Sequence, residues 1–438
     1  MQQGSVDRAS LTPVKSRGSV RTRVPLVAML SADAISMAGN AAALVAIPWF
    51  VLQTTGSASK TGITAAAAIV PVIISGLVGG PYVDRLGYRR ASIVADLASF
   101  AAVAAIPLLH ATVGLAFWQL VLLVFLGALL DAPGVTARAS MLPEVAEPAG
   151  WSLERVSGAA AAVSRAARLA GAPIAGVLIA FVGPTNVLWI DAATFLFSAA
   201  AIAVGVPPRA SARPVREEGA RASYVSEIKE GFAFLYERRA LFVLTIVVTV
   251  TNMLDAVAIV ALPVYAIRVY GTAWSLGLMI GVAAAGAVLG ALAYSAVGER
   301  LSRRRVFAWG FAGATIWYPI AAMFPPLGVM LAARGVSGLA AGPINPVIDT
   351  VFLERVPDGM RGRVFGVGNA AAWIAMPLGV LVAGPAIETF GLRATLLATG
   401  ALYAVVAALT IWAPSLADLD RPADVGAPWS DPGIPDEY

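Results

Sequence analysis

Apolar residues run through this chain in blocks of about 20, each long enough to cross a bilayer core as a helix. Polar residues collect in the short gaps between them. Twelve blocks begin near Val24, Thr61, Ala91, Gly114, Ser157, Thr185, Ala240, Ser275, Val306, Leu327, Gly362 and Leu392. They fall into two sets of six, separated by residues 207–239. Within that break Pro207 to Ala222 is rich in Pro, Arg and Glu. Beyond it Tyr224, Ile228, Phe232, Leu235 and Tyr236 recur at helical spacing between charged residues, which predicts a helix lying at the membrane surface. The expected division is a cytoplasmic N-terminal arm (1–23), a first bundle (24–206), a cytoplasmic linker with an interfacial helix (207–239), a second bundle (240–414) and an acidic, disordered cytoplasmic tail (415–438).

The two sets are copies. Gly80-Pro81-Tyr82-Val83-Asp84-Arg85-Leu86 recurs, worn, as Ser295-Ala296-Val297-Gly298-Glu299-Arg300-Leu301, a separation of 215 residues (84 to 299). The same separation pairs Pro48 with Pro263, Gly56 with Gly271 and Gly62 with Gly277. Later in each half Gly176 and Gly183 match Gly384 and Gly391 at 208. The fold class expected is all-α and integral to the membrane, with twelve transmembrane helices in two pseudo-symmetric six-helix bundles. Repeats of this kind build carriers whose halves rock about a shared site. Prolines inside the spans, among them Pro319, Pro343 and Pro377, are expected to bend them.

Composition agrees: 58% hydrophobic, 13% charged and a mean hydropathy of +0.78 exclude an ordinary soluble protein. With no cysteine, thiol chemistry, disulfides and thiolate metal sites are excluded. The basic excess, 31 Lys and Arg against 26 Asp and Glu, could indicate nucleic acid. Its placement argues against that, because Arg85, Arg89, Arg90, Arg300, Arg303, Arg304 and Arg305 crowd alternate loops while the others hold little beyond Lys60, Arg268 and Arg393. This asymmetry predicts a multi-pass membrane protein with both termini cytoplasmic, and three Lys against 28 Arg with abundant Ala and Gly suggest a GC-rich bacterial source, hence the inner membrane. No cleaved leader is expected, since the first apolar run is too long for a signal core.

An ionised side chain at a helix centre costs about 2.5–3.5 kcal/mol, so intramembrane charges face cavities or partners. Asp33 lies about 13 Å into the first span at 1.5 Å per residue. Asp255 lies in the seventh span, with Asn40 as its counterpart at 215. Arg165 and Arg168 share a face of the fifth span, and Arg334 sits in the outer half of the tenth. These six are the candidates for proton coupling and the cavity. Asp33 is expected to take up and release a proton during transport, with Arg168 opposing its charge, and Asp255 is the second choice. Asp96, Asp131 and Asp349, nearer the cytoplasmic ends, are read as gate or ion-pair residues, as is Asp191 near the outer end of the sixth span. Trp49, Trp317, Tyr318 and Trp373 are candidates for an aromatic cavity lining.

The run Gly80-x3-Asp84-Arg85-x-Gly87-x-Arg89-Arg90 resembles the loop between helices 2 and 3 of the major facilitator superfamily, with Tyr88 in place of a basic residue. The resemblance implies a latch on the outward-facing state, carried by Asp84 with Arg85, Arg89 and Arg90, and a weaker copy at Glu299 and Arg300. Gly171-Ala172-Pro173-x-x-Gly176 is similar to an element of the fifth helix in proton-coupled drug antiporters of that family, although Ala172 and Val177 replace glycines. Asp33-x-x-Ser36-x-x-Gly39, Trp189-x-Asp191 and Glu230-Gly231-Phe232 look like the bacterial efflux branch that includes siderophore and macrolide exporters. What this implies is a secondary transporter working by alternating access, exporting a small amphipathic organic compound such as a drug, antibiotic or secondary metabolite. A proton gradient would drive it, with Na⁺ as the other coupling ion to test. The alternatives are a proton-coupled nutrient importer on the same fold and a non-transporting membrane receptor or scaffold.

Enzymatic readings find no support. Gly366-x-Gly368-x-x-Ala371 has the spacing of a dinucleotide loop but opens a membrane span with no strand before it, and there is no Gly-x4-Gly-Lys-Ser/Thr phosphate loop. His110 is the only histidine, which excludes His-rich metal sites. No cofactor and no metal are expected. The partners expected are the lipid bilayer and a small-molecule substrate, without nucleic acid, and the chain is expected to be a monomer.

Overall fold

The computed structural model describes residues 20–208 and 220–412, and among them every regular element is helical. The expected arm and tail lie almost wholly outside the described residues, as does the first part of the linker. The first half comprises α1 (Val20–Thr55), α2 (Ala58–Leu86), α3 (Tyr88–Thr112), α4 (Phe117–Ala146), α5 (Leu153–Val182) and α6 (Pro184–Gly205). After the surface helix α7 (Ala220–Glu237) come α8 (Arg239–Tyr265), α9 (Ala273–Val297), α10 (Arg303–Thr315), α11 (Trp317–Ala322), α12 (Leu327–Ala341), α13 (Ile344–Arg355), α14 (Arg361–Ile374) and α15 (Met376–Trp412).

Among the described residues eleven helical stretches are individually long and apolar enough to cross a membrane. The twelfth crossing is split. Pro319 has no N–H to give the Thr315 carbonyl, so the chain tightens at Ile316, whose N–H reaches Gly313 instead, and α10 and α11 together make the span. Pro343 and Pro377 mark the breaks between α12 and α13 and between α14 and α15 in the same way. α15 completes the span that α14 begins and, after Gly391, forms the last span by itself.

The duplication is written into the backbone. Gly56 and Gly271 end the first span of each half at φ +67° and +69°, and Gly183 and Gly391 end the fifth at +80° and +84°. A side chain at these angles would be strained, which is why the turns need glycine. The two arginine-rich turns differ for the same reason. Gly87 turns at φ +78°, whereas its counterpart Ser302 stays at φ −64° and caps α10 by accepting from the Arg305 N–H at 3.3 Å, after a short 3₁₀ turn over Gly298–Arg300.

The halves meet along two seams, α2 against α15 and α5 against α9. A Cβ on Gly176 would lie 2.8 Å from the Gly277 Cα, and one on Gly384 would lie 2.5 Å from the Ser59 Cα, so backbone runs against backbone. Beside the α2–α15 seam Glu388 takes hydrogen bonds from the Ser57 hydroxyl (2.7 Å), the Ser59 N–H (3.0 Å) and the Ser59 hydroxyl. These contacts all lie toward the end that bears the α1–α2 turn. Toward the arginine-rich end Gly158, Gly362 and Gly366 would meet nothing within 4 Å. The close glycine contacts between the bundles thus gather toward one end. α7 rides with the second bundle, where Arg363 on α14 pairs with Glu230 at 2.5 Å.

Candidate functional site

Within the first bundle five helices converge on one guanidinium. Arg138 of α4 is 2% exposed; its Nη1 donates to Asp96 of α3 at 2.9 Å and its Nε to Asp33 of α1 at 3.3 Å. The second oxygen of each carboxylate is also held, Asp96 by the Ser198 hydroxyl of α6 at 2.7 Å and Asp33 by the Ser164 hydroxyl of α5 at 3.0 Å. Asp96 is fully buried and Asp33 is 18% exposed. The planar fork of a guanidinium presents donors in fixed directions to two separate carboxylates, whereas an ammonium is a compact point charge. Arg138, not named in the sequence reading, opposes the charge of Asp33; the side chain of Arg168, expected in that role, lies outside the described residues.

Two turns before Arg138 on the same face of α4, Asp131 accepts from the Asn40 amide of α1 at 2.8 Å. Its Oδ1 has no hydrogen-bond partner among the described residues, and neither has Oδ1 of Asp191 on α6, a residue that is 1% exposed. α1 approaches α6 closely at Gly39, where a Cβ would come within 2.5 Å of Asp191. Asn40, Asp131 and Asp191 form the polar corner of a cavity of about 510 Å³, whose remaining wall is mostly aliphatic, with Ile47, Ile69, Val124 and Phe195 from α1, α2, α4 and α6 and Ile259 from α8. The cavity therefore joins apolar surface to the buried acids.

The second bundle holds a separate cluster. Tyr403 of α15 donates to Asp255 of α8 at 3.3 Å, and the Tyr318 hydroxyl reaches the Leu254 carbonyl at 3.4 Å. Arg334 of α12 donates to the Met279 carbonyl at 3.3 Å and lies 4.6 Å from the centroid of Trp317, a cation–π arrangement. Asn40 and Asp255, equivalent by sequence, thus serve two different networks.

The aromatic candidates sit away from the cavity. Trp49, Trp317 and Tyr318 are buried in the core, and Trp373 is 48% exposed on α14. Arg165 of α5 lies within electrostatic reach of Asp349 of α13, a pairing of opposite charges across the two bundles. At the first arginine-rich turn Arg89 donates to the carbonyls of Val206 (2.7 Å) and Ala203 (2.6 Å), satisfying the end of α6. Gly80 and Asp84 fall in the last turns of α2, Arg85 and Arg90 are exposed, and the side chains of Asp84 and Glu299 lie outside the described residues. Arg300 is exposed. Gly176 and Pro173 form the α5 side of the α5–α9 seam against Gly277 and Gly281, while Gly171 faces Ala41 of α1.

Comparison with known proteins places this geometry among relatives. A family model described as the Major Facilitator Superfamily matches residues 29–297 and 244–430. The chain is 36% identical over 417 residues to the multidrug efflux pump Tap of Mycobacterium tuberculosis, covering 93% of this chain and 98% of that one. Its identity to Tap of Mycolicibacterium fortuitum is 34% over 410 residues, covering 91% and 98%. Among solved structures, the nucleoside transporter NupG superposes with a TM-score of 0.73 at 11% identity, covering 88% of this chain and 98% of that one.

Proposed function

The chain belongs to the Major Facilitator Superfamily of membrane transporters, and on that premise we propose that it exports a small amphipathic organic compound across a bacterial inner membrane in exchange for protons. It is a transporter and not an enzyme. The observation that carries the proposal is the cavity: an aliphatic wall for the apolar body of a substrate, and at one corner the carboxyl groups of Asp131 and Asp191 to attract a cationic or hydrogen-bond-donating group. The drug and efflux terms in the names of the relatives support the same direction of transport.

Proton coupling would run through the adjoining acids. Asp33 and Asp96 share the guanidinium of Arg138, and Asp131 and Asp191 stand beside them at the cavity corner, so substrate and proton can compete for the same negative charge. Asp33 is the accessible member of the Arg138 pairings and the one we assign to proton exchange. The positive-inside distribution sets the arginine-rich end in the cytoplasm, so the close glycine contacts between the bundles and the Glu388 clasp lie toward the outside. We place both termini in the cytoplasm and take the working unit to be a monomer.

The test is flux in proteoliposomes under an imposed pH gradient, with and without a sodium gradient. Asp33→Asn should abolish proton-driven flux while leaving folded protein in the membrane. Undiminished coupled transport by that variant would remove Asp33 from the mechanism. Equal flux driven by sodium alone would replace the coupling ion, and uptake with an inward proton gradient would reverse the direction.

A further inference from the structure

The arginine-rich end of the second bundle carries a feature on its flank, remote from the cavity. α10 opens with three consecutive arginines. Arg303 is held by Glu354 through two bonds of 2.5 and 2.7 Å, and Arg304 donates to the Ile411 carbonyl at the end of α15. Arg300 and Arg305 are exposed and have no side-chain partner among the described residues. One turn along from Arg305, on the same face, Trp309 is 73% exposed.

Two grooves flank this ridge. One, about 530 Å³, runs between α9 and α10 past Tyr294, Val297 and Leu301. The other, about 560 Å³, runs between α10 and the end of α15 past Ala308, Ala312 and Ile411. Ser302, Arg305 and Trp309 border both, so the grooves lie on either side of a single cationic ridge. A loop that only marked topology would need positive charge and nothing more. Here the charge stands at the head of two apolar channels that descend along membrane-spanning helices, with an aromatic residue between them.

We propose that this ridge binds one anionic phospholipid, its phosphate on Arg300 and Arg305 and one acyl chain in each groove. Guanidinium forks suit phosphate oxygens, and basic pockets between transmembrane helices hold anionic headgroups. A zwitterionic lipid brings its own cation to the ridge and leaves no net charge to neutralise the two arginines. The occupant is thus selected by charge at the head and by shape along the chains.

The natural sequence lacks cysteine, so Val297→Cys introduces a unique thiol in the first groove for a small fluorophore. The full chain is reconstituted in phosphatidylcholine nanodiscs, and brominated phosphatidylglycerol or brominated phosphatidylcholine is titrated in as quencher. Quenching should favour the anionic lipid about thirtyfold in mole fraction, at about fivefold per basic contact. Arg300→Gln with Arg305→Gln should erase the preference, while the same pair of changes at Arg268 and Arg393 should leave it. Equal quenching by the two lipids overturns the proposal and can be read without the double variant. Loss of the preference on adding millimolar inorganic phosphate also overturns it, because the site would then bind free phosphate and not a lipid.

Discussion

Replacing Arg138 with Gln is the sharpest perturbation of the first bundle. The guanidinium is 2% exposed and serves Asp33 and Asp96 together. Removing one partner of a buried ion pair costs about 3–5 kcal/mol, most of it from the charge left behind. Two stranded carboxylates put this case at the upper end. At about 2–4 °C per kcal/mol for a unit of 150–250 residues, the unfolding midpoint should fall by roughly 10 °C or more. Thermal unfolding of detergent-purified protein, followed by intrinsic fluorescence, measures it. The discriminating step is a second substitution, Asp96→Asn. In the natural protein it removes half of the environment of Arg138 and should lower the midpoint. In the Arg138→Gln background it relieves a buried charge and should raise it. That reversal of sign is peculiar to a buried pair. A single variant within about 2 °C of the natural protein, or an Asp96 effect of the same sign in both backgrounds, would refute the reasoning.

Other outcomes follow from the same geometry. Arg138→Lys should recover only part of the loss, since an ammonium keeps the charge but lacks the fixed, spread donors that Nε and Nη1 present to the two carboxylates; the same unfolding measurement checks it. Gly176→Val puts a side chain where the Gly277 Cα stands 2.8 Å away, so the closed seam should be excluded, and a fluorophore pair across α5 and α9 should report separation with transport lost. Glu388→Ala removes three bonds to Ser57 and Ser59, each worth about 1.5–3 kcal/mol as charged hydrogen bonds before solvent screening; a single cysteine at Ala65 should then label several-fold faster from outside. Ala68→Trp should fill much of the 510 Å³ cavity and abolish export, read as flux, while expression and unfolding stay near normal.

Much of the architecture was legible from sequence because both of its signals are long-range in the chain. Apolar blocks of spanning length gave the crossings, and the repeat separations gave the symmetry that reappears in matched φ angles at Gly56 and Gly271 and at Gly183 and Gly391. The crossing made of α10 and α11 shows how proline can hide a span from a length criterion while leaving the crossing in place. The site was less legible. Asp33, Asp96, Asp131 and Asn40 stood out as polar groups in apolar helices, but which acid meets which base depends on helix rotation, and rotation is set by tertiary packing. Arg138 was missed because it lies 24 residues past the expected start of the fourth span at Gly114, beyond the roughly 20 that cross a bilayer core. In the structure Pro133 does not end α4, which continues to Ala146. The available signal was its spacing of seven residues from Asp131, two turns along one helix face. The aromatic candidates were chosen for lying within spans and not at their ends, and depth along a helix does not say which way a side chain faces.

The two seams hold a further consequence. Gly62 and Gly277 are equivalents, as are Gly176 and Gly384, and each seam uses one of each kind: α2 with Gly62 meets α15 with Gly384, and α9 with Gly277 meets α5 with Gly176. One six-helix unit facing a second copy of itself about a two-fold axis would make both joints from a single pair of glycines. The fused chain thus has the geometry of a homodimer covalently tied together, and its fusion freed each joint to change on its own, so that one could stiffen while the other stayed supple.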